Sequence, residues 1–463
     1  MNLLTEFLAI NWPSVGLQAA QLILSLSILV VLHELGHYLP AKWFKCRVEK
    51  FYLFFDPWFS LFKKKIGETE YGVGWLPLGG YVKISGMVDE SMDKEQMKQP
   101  PQAWEFRSKP AWQRLIIMIG GVTVNVLLAF FIYAMILFTW GDTKLPMKNL
   151  TDGVWVTDSL AMEVGIQNGD KILAVNDKPV AYFDNLNAQF LLGENHLTVD
   201  RGGQQVRLNI PVDLIGRLVE NGRRNPLVLP RIPSLVAEVP DSTNAHAAGL
   251  KVKDRIVGID SIEVKYHDEI RPLLQARKGQ QVTLHVIRDS ARIPLNVQVS
   301  GDGTIGFYPM LPALSDLKSM NVYQFEHREY GFFASFPAGV RLAIEKLDNY
   351  IQQFKKILKP STGAYKGIGG FRSMGSIFPK YEWNWEAFWN ITAFFSIVLA
   401  FMNLLPIPAL DGGHVVFTLY EMITGRKPNE KFLEYAQIVG MIILLGLLLY
   451  ANGNDWIGWG KGK

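Results

Sequence analysis

The chain has 463 residues, too many for one ordinary domain and enough for two to four. Its net charge of +4, with no dense Lys/Arg run interleaved with aromatics, excludes a nucleic-acid partner. The one cysteine, Cys46, excludes both an intrachain disulfide and a Cys-x-x-Cys metal site, so any metal must be held by His, Asp or Glu.

Apolar residues make up 49% of the chain and charged residues 19%. The apolar excess sits at the two ends, while residues 150–320 have an ordinary soluble composition. Four stretches have the length and apolarity of spanning helices, at about residues 16–39, 115–140, 388–405 and 438–450. The fourth is short and needs its flanking residues to span. The first lacks the basic start and small-residue cleavage site of a signal peptide, and it carries His and Glu.

Within that first span lies His33-Glu34-Leu35-Gly36-His37. On a helix, residues i and i+4 share a face, so His33 and His37 can bind one zinc ion together. Glu34 beside them can take a proton from a water that zinc activates, because zinc lowers water's pKa to about 7. A charged or polar group inside an apolar span costs about 2.5–3.5 kcal/mol unless it is used, which favours a function for these three residues over an accident of composition.

The segment after the first span holds Lys42, Lys45, Arg47, Lys50, Lys63, Lys64, Lys65, Arg107, Lys109 and Arg114, and the loop before the fourth holds Arg426, Lys427 and Lys431. The positive-inside rule makes both cytoplasmic and places the middle region and both chain ends on the opposite side. Between the first two spans, Thr69-Glu-Tyr71-Gly72-Val73-Gly74-Trp75-Leu-Pro77-Leu-Gly79-Gly80-Tyr-Val-Lys-Ile84 has the alternation and the Pro-Leu-Gly-Gly turn of a β-hairpin, expected over about residues 66–88.

The middle region contains two similar passages about one small domain apart. One reads Gly165-Ile-Gln-Asn-Gly-Asp-Lys-Ile-Leu-Ala-Val-Asn176, the other Gly249-Leu-Lys-Val-Lys-Asp-Arg-Ile-Val-Gly-Ile-Asp260. Each has a Gly-led turn, an Asp and an apolar strand. The repeat resembles a tandem of PDZ domains, expected at 146–230 and 231–312, and Gly303-Thr-Ile-Gly-Phe307 resembles a carboxylate-binding loop in the circularly permuted bacterial arrangement. Residues 333–358 have the pattern of an amphipathic helix inside a connecting region, 313–385, on the same side. Tyr381, Trp383, Trp385 and Trp389 suit the interface before the third span.

The third span runs directly into Asn403-Leu-Leu-Pro406-Ile-Pro408-Ala-Leu-Asp411-Gly412-Gly413-His414. Two prolines free backbone groups at membrane depth, which is tolerated only where protein or a cavity covers them. Catalytic zinc usually has three protein ligands and one open position, so the third comes from Asp411 or from His414. A scaffold without activity or a transporter would leave the His, Glu and Asp set without a purpose.

His33-Glu-Leu-Gly-His37 on the first span, with Asn403 through Gly412 on the third, resembles the site-2 family of intramembrane zinc metalloproteases. The paired insertion between spans two and three resembles its RseP-type (regulator of sigma-E protease) branch. The resemblance implies a multi-pass α-helical membrane protein with four transmembrane helices, a re-entrant β-hairpin and two periplasmic PDZ-like α+β domains. The transmembrane parts fall at 1–145 and 386–463.

It further implies zinc held by His33, His37 and Asp411, with Glu34 as general base. Asn403 would contact a substrate strand, Pro406 and Pro408 would shape its loop, and a hairpin edge at Tyr71, Gly72, Val73, Gly74 and Trp75 would pair with that strand. The family's Gly-Pro-x-x-Asn appears here as Gly121-Val122-Thr-Val-Asn125, without the proline, leaving Asn125 as a supporting polar contact or a helix-packing residue. The implied setting is a bacterial inner membrane, with the active site towards the cytoplasmic side. The implied partners are the bilayer and single-span membrane proteins, such as anti-sigma factors or remnant signal peptides. The PDZ pair would act as a size filter.

Overall fold

The computed structural model describes residues 11–87, 99–192, 196–221, 226–310, 317–318 and 320–459. The expected hairpin end at 88, the end of the second repeat at 311–312 and both chain ends lie outside them. The chain divides into two compact units, one of residues 1–141, 329–358 and 365–463, the other of 142–328 and 359–364.

The first unit opens with α1 (Trp12–Trp43), capped by Asn11, whose side chain accepts from the Ser14 amide. Its apolar residues cover every face, as a lipid-facing span requires. The chain then forms β1 (Val48–Ile66) and β2 (Thr69–Ile84), an antiparallel pair. Both are long enough to fold back on themselves. Phe54 and Trp58 take positive φ (68° and 73°), splitting β1 into two arms, and Gly79 (φ 140°) reverses β2. The result is four segments in the order 60–66, 69–76, 48–55, 80–84, the two outer pairs antiparallel and the central pair, 69–76 with 48–55, running parallel.

Next comes α2 (Ala111–Trp140), an uninterrupted helix through the position where the family has proline. It crosses α1 with backbones nearly touching. A Cβ on Gly36 would lie 2.5 Å from the Gly120 carbonyl oxygen, and one on Gly120 would lie 2.1 Å from that of Gly36. Glycine permits this approach, the device by which apolar helices pack where burying apolar surface gives no drive.

The second unit begins with β3 (Asp142–Lys144). A first lobe follows: β4 (Val154–Val156), α3 (Ser159–Val164), β5 (Lys171–Val175), β6 (Lys178–Pro179), α4 (Leu186–Leu192), β7 (His196–Arg201), β8 (Gln204–Asn209), α5 (Leu214–Glu220) and β9 (Val228–Pro230). A second lobe repeats the order without a counterpart of α5: β10 (Ser234–Glu238), α6 (Asn244–Ala247), β11 (Arg255–Ile259), β12 (Ile262–Glu263), α7 (Ile270–Gln275), β13 (Gln281–Arg288), β14 (Ala291–Gln298) and β15 (Tyr308–Pro309). In each, the last strand returns to pair with the first, β9 with β4 and β15 with β10. β16 (Glu326–Arg328) closes the unit by pairing with β3.

The likeness reaches single hydrogen bonds. Asp170 and Asp254, both buried, each accept a turn amide, from Gln167 and from Lys251, at 2.9 Å. Each also binds an arginine at the end of the third long strand, Arg201 or Arg288, which reaches on to the carbonyl of Gly165 or Gly249. These bidentate pairs are why each passage needs its Asp; the arginine partners, some thirty residues away, escape a reading of the turn alone.

The chain returns to the first unit with α8 (Phe332–Ile357), in place of the expected helix at 333–358. It is no free connector. Ala343 packs with Ile132, Tyr133 and Ile136 of α2, and Gly339 sits where a Cβ would press on the Ala134 backbone at 2.5 Å. The short α9 (Phe371–Gly375) precedes α10 (Trp385–Leu404), which is capped by Asn384 and tied into the bundle by two hydroxyls. Ser396 donates to the Asn125 carbonyl (2.7 Å) and Thr392 to Ser25 (2.9 Å).

After a loop come α11 (Asp411–Thr424) and α12 (Glu430–Ile457). Among the described residues, four helices are long and apolar enough to cross a membrane: α1, α2, α10 and α12 over Lys431–Ile457. The fourth is about twice the stretch expected at 438–450. Polar residues at its end, which lower the hydropathy, are satisfied by the segment that leads into α9 and by α9 itself. Asn454 donates to the carbonyls of Lys366 and Ile368, and Asp455 accepts from the amides of Gly370 and Ser373.

Candidate metal centre and active site

The helical period of α1 turns His33 and His37 to one face, both buried, against α2. Gly121 makes the room: a Cβ there would lie 2.4 Å from His37 Nε2 and 2.6 Å from His33 Cε1. The third group lies 374 residues beyond His37 in the chain. Asp411 opens α11, where the helix N-terminus favours a carboxylate. Its Oδ2 stands 3.2 Å from Nε2 of His33 and 3.2 Å from Nε2 of His37, and the two nitrogens are 3.2 Å apart.

The three donors form a near-equilateral triangle. A tetrahedral ion with bonds of about 2.0–2.1 Å requires ligand atoms about 3.3–3.4 Å apart, so the triangle has the size of one zinc face. Asp411 Oδ2 is buried and has no hydrogen-bond partner among the described residues, a costly state for a carboxylate oxygen unless a cation satisfies it. The ligand atoms all lie within 4.8 Å of one another. His414 is not in the group; it lines the cavity wall a turn further along α11. On this geometry His33, His37 and Asp411 would hold zinc, and all three line one cavity.

That cavity has a volume of about 860 Å³. Glu34 lies in its wall together with both histidines, Asp411 and Asn403. Gly80 presses on Glu34's helix, where a Cβ would lie 2.6 Å from a Val30 methyl and 3.7 Å from Glu34 Cγ. Asn403 Nδ2 is 3.2 Å from His33 Nε2. Asn125 is fully buried, with Nδ2 3.1 Å from His33 Nδ1.

Pro406 and Pro408 lie in the loop between α10 and α11, where turn bonds replace the helical ladder: Leu405 N–H to the Met402 carbonyl, Leu410 N–H to that of Ile407. Ala409 takes a left-handed φ of 81° there. Two residues of α12 hold this loop, and neither stands out in the sequence. Gln437 Oε1 accepts the Ala409 amide (3.0 Å), and Gly440 lies so close that a Cβ would fall 1.6 Å from the Pro408 carbonyl oxygen.

The expected pairing edge is corrected by the strand order. Tyr71, Gly72 and Val73 are paired on both sides, with Phe51, Tyr52 and Leu53 and with Lys64, Lys63 and Phe62; Gly74 pairs with Ser60, and Trp75 donates to the Pro57 carbonyl. The backbone groups of 71–73 are committed because β1 folds back over both flanks, Trp75 is tied through its indole N–H, and none of residues 71–75 lines the cavity. Residues 80–84 do line it, and among the described residues their outer edge pairs with no strand. The wall also carries a polar group that sequence reading missed: Asp56 accepts from Tyr81 (2.8 Å) and Ser60 (3.1 Å), with Lys50 3.7 Å away.

Comparison with known proteins agrees with this chemistry. Residues 21–447 match Peptidase family M50. A Treponema pallidum protein named "Putative zinc metalloprotease" is 27% identical, the match covering 93% of this chain and 96% of that protein. The "Regulator of sigma E protease" of Haemophilus influenzae is 27% identical, over 94% of this chain and 97% of the relative. The "Regulator of sigma-E protease RseP" of Escherichia coli K12 is 27% identical, over 94% and 98%. The motif on α1, the four apolar helices and the match along nearly the whole chain lead to one assignment: this is a membrane protein of peptidase family M50, the site-2 protease family, and a zinc metalloendopeptidase.

Proposed function

We propose that the protein cleaves peptide bonds within transmembrane segments of other membrane proteins, with His33, His37 and Asp411 as zinc ligands and Glu34 as general base. The observation that carries this is the 3.2 Å triangle of donors on apolar helices, opening on a cavity walled by Glu34. Zinc, when bound, supplies Lewis acidity and lowers the pKa of water to about 7. Glu34 takes a proton from the attacking water and passes it to the leaving amine.

A substrate helix hides its carbonyls in its own hydrogen bonds and must unwind to be cut. The edge at residues 80–84 supports a role in replacing those bonds by strand addition, in place of the edge at 71–75. Asn403 lies beside the ligands and supports a hold on the same strand, with Pro406 and Pro408 shaping the loop that carries Asp411. Asn125 supports the histidines.

The two lobes are read as circularly permuted PDZ-like domains acting as a size filter on the periplasmic side of a bacterial inner membrane, the cut falling towards the cytoplasmic side. The names of the Haemophilus and Escherichia relatives point to regulated proteolysis in a sigma-E response; an anti-sigma factor or a remnant signal peptide as substrate is what the family resemblance implies. The test is cleavage of a single-span model substrate in liposomes holding the purified protein. Cleavage that stops with a zinc chelator and returns with zinc supports the reading; cleavage that persists through chelation overturns it.

A further inference from the structure

The two imidazoles are held by different kinds of partner. His37 Nδ1 is 2.8 Å from the Ile117 carbonyl, a group that can only accept. Its Nδ1 therefore carries the proton, and Nε2 presents a lone pair towards Asp411. His33 has no carbonyl there. Its Nδ1 faces the carboxamide of Asn125, whose Oδ1 is buried and has no hydrogen-bond partner among the described residues.

A carboxamide can present either end, and the two ends differ little in shape. With nitrogen towards the ring, His33 Nδ1 must accept, Nε2 keeps the proton, and His33 is no ligand. With oxygen towards the ring, Nδ1–H donates to Oδ1 and the Nε2 lone pair is released. A fully buried amide on an apolar helix has a cost that packing alone does not offset. Asn125 also sits one turn beyond Gly121, so one face of α2 supplies both the space for the rings and the amide beside one of them. Ser396 pins its backbone by donating to the carbonyl.

We infer that Asn125 is the positioning residue of His33: its Oδ1 accepts the Nδ1 proton and so fixes the tautomer in which Nε2 binds zinc. The inference rests on His33 being a ligand, as proposed above.

The test measures metal affinity rather than turnover. Metal-free Glu34→Gln protein in detergent is titrated with Co²⁺, followed by the visible absorption of the tetrahedral ion, and zinc affinity is read by displacement. Asn125→Leu keeps the shape and removes the acceptor; Asn125→Asp keeps both. The expected result is a 10- to 100-fold weaker affinity for the leucine variant, about the usual effect of losing such a partner, and rescue to near the parent by aspartate. The inference is overturned if the leucine variant binds like the parent, or if aspartate loses as much as leucine. Should the metal-free leucine variant not match the parent's melting midpoint, Asn125→Val is read in its place. A parent that binds no cobalt, or a His33→Ala variant that binds like it, defeats the ligand assignment itself and is a separate outcome.

Discussion

Glu34 and Asp411 are both carboxylates in the wall of one cavity, and their tasks differ by geometry. Asp411 shares a 3.2 Å triangle with two imidazoles, whereas Glu34, next to His33, is turned towards the strand at Gly80. A base that is not a ligand can be neutralised without loss of metal. Glu34→Gln therefore keeps one zinc per chain while turnover falls by about 10²–10⁴, the range general-base catalysis supplies; metal analysis beside a cleavage assay checks both halves. Asp411→Ala removes the proposed third ligand, so zinc content should collapse, while His414→Ala should keep it. The reverse pattern would make His414 the third ligand.

At the scale of elements, the legible parts were those with a local period. The i, i+4 spacing put His33 and His37 on one face, and apolar length gave α1, α2 and α10. What failed was non-local. Nothing around Phe54 and Trp58 announces a positive φ, so a two-stranded reading of the hairpin was natural; the fold-back those two residues allow moved the open edge from 71–75 to 80–84. The fourth span was read short because Asn452, Asn454 and Asp455 look polar until their partners near residues 366–373 are known. Asp411 and His414 are equivalent in the sequence until resemblance prefers one, since the fold that separates them brings Asp411 to a histidine 374 positions away.

The same non-local packing holds the ligand loop through α12. Gly440→Ala places a methyl against the Pro408 carbonyl, which must move by more than 1 Å, the 1.6 Å approach being about half a normal contact. A displacement of that size passes to Asp411 three residues on. The expectation is a loss of about 10²-fold in turnover with the fold retained. Gln437→Leu, which only releases the Ala409 amide, falls less. Measured turnover in the opposite order would show that the loop is not positioned from this helix.

At the scale of the whole molecule, the second unit has a pH response separate from the zinc chemistry. His267 stands between the lobes, its ring against Trp155 of the first and Phe307 of the second, with Nδ1 3.0 Å from the Ser234 hydroxyl. Burial pushes its imidazole below the ordinary value of 6.5, against the pull of Asp268. The unfolded chain therefore takes up a proton that the folded unit refuses. Stability is complete above pH 6.5 and declines as pH falls from there towards the folded value. Calorimetry of the full-length protein should show the melting midpoint of this unit dropping through that window, and His267→Phe, which keeps the ring contacts, should flatten the drop.

The filter role of the lobes can be tested by removing them, because the register of β3 and β16 supplies a clean junction. Lys144 pairs with Glu326 at the end of that ladder, so residues 145–325 can be replaced by Asn-Gly, a two-residue turn that closes an antiparallel pair with the correct twist. A filter acts by exclusion and contributes nothing to the chemical step. The shortened enzyme should then cleave a truncated single-span substrate at the parent's rate and should also cleave the same span carrying a large outer domain, which the parent leaves intact. If the two enzymes discriminate equally, the lobes do not filter by size. If the shortened enzyme loses the truncated substrate as well, the lobes bind substrate instead of excluding it.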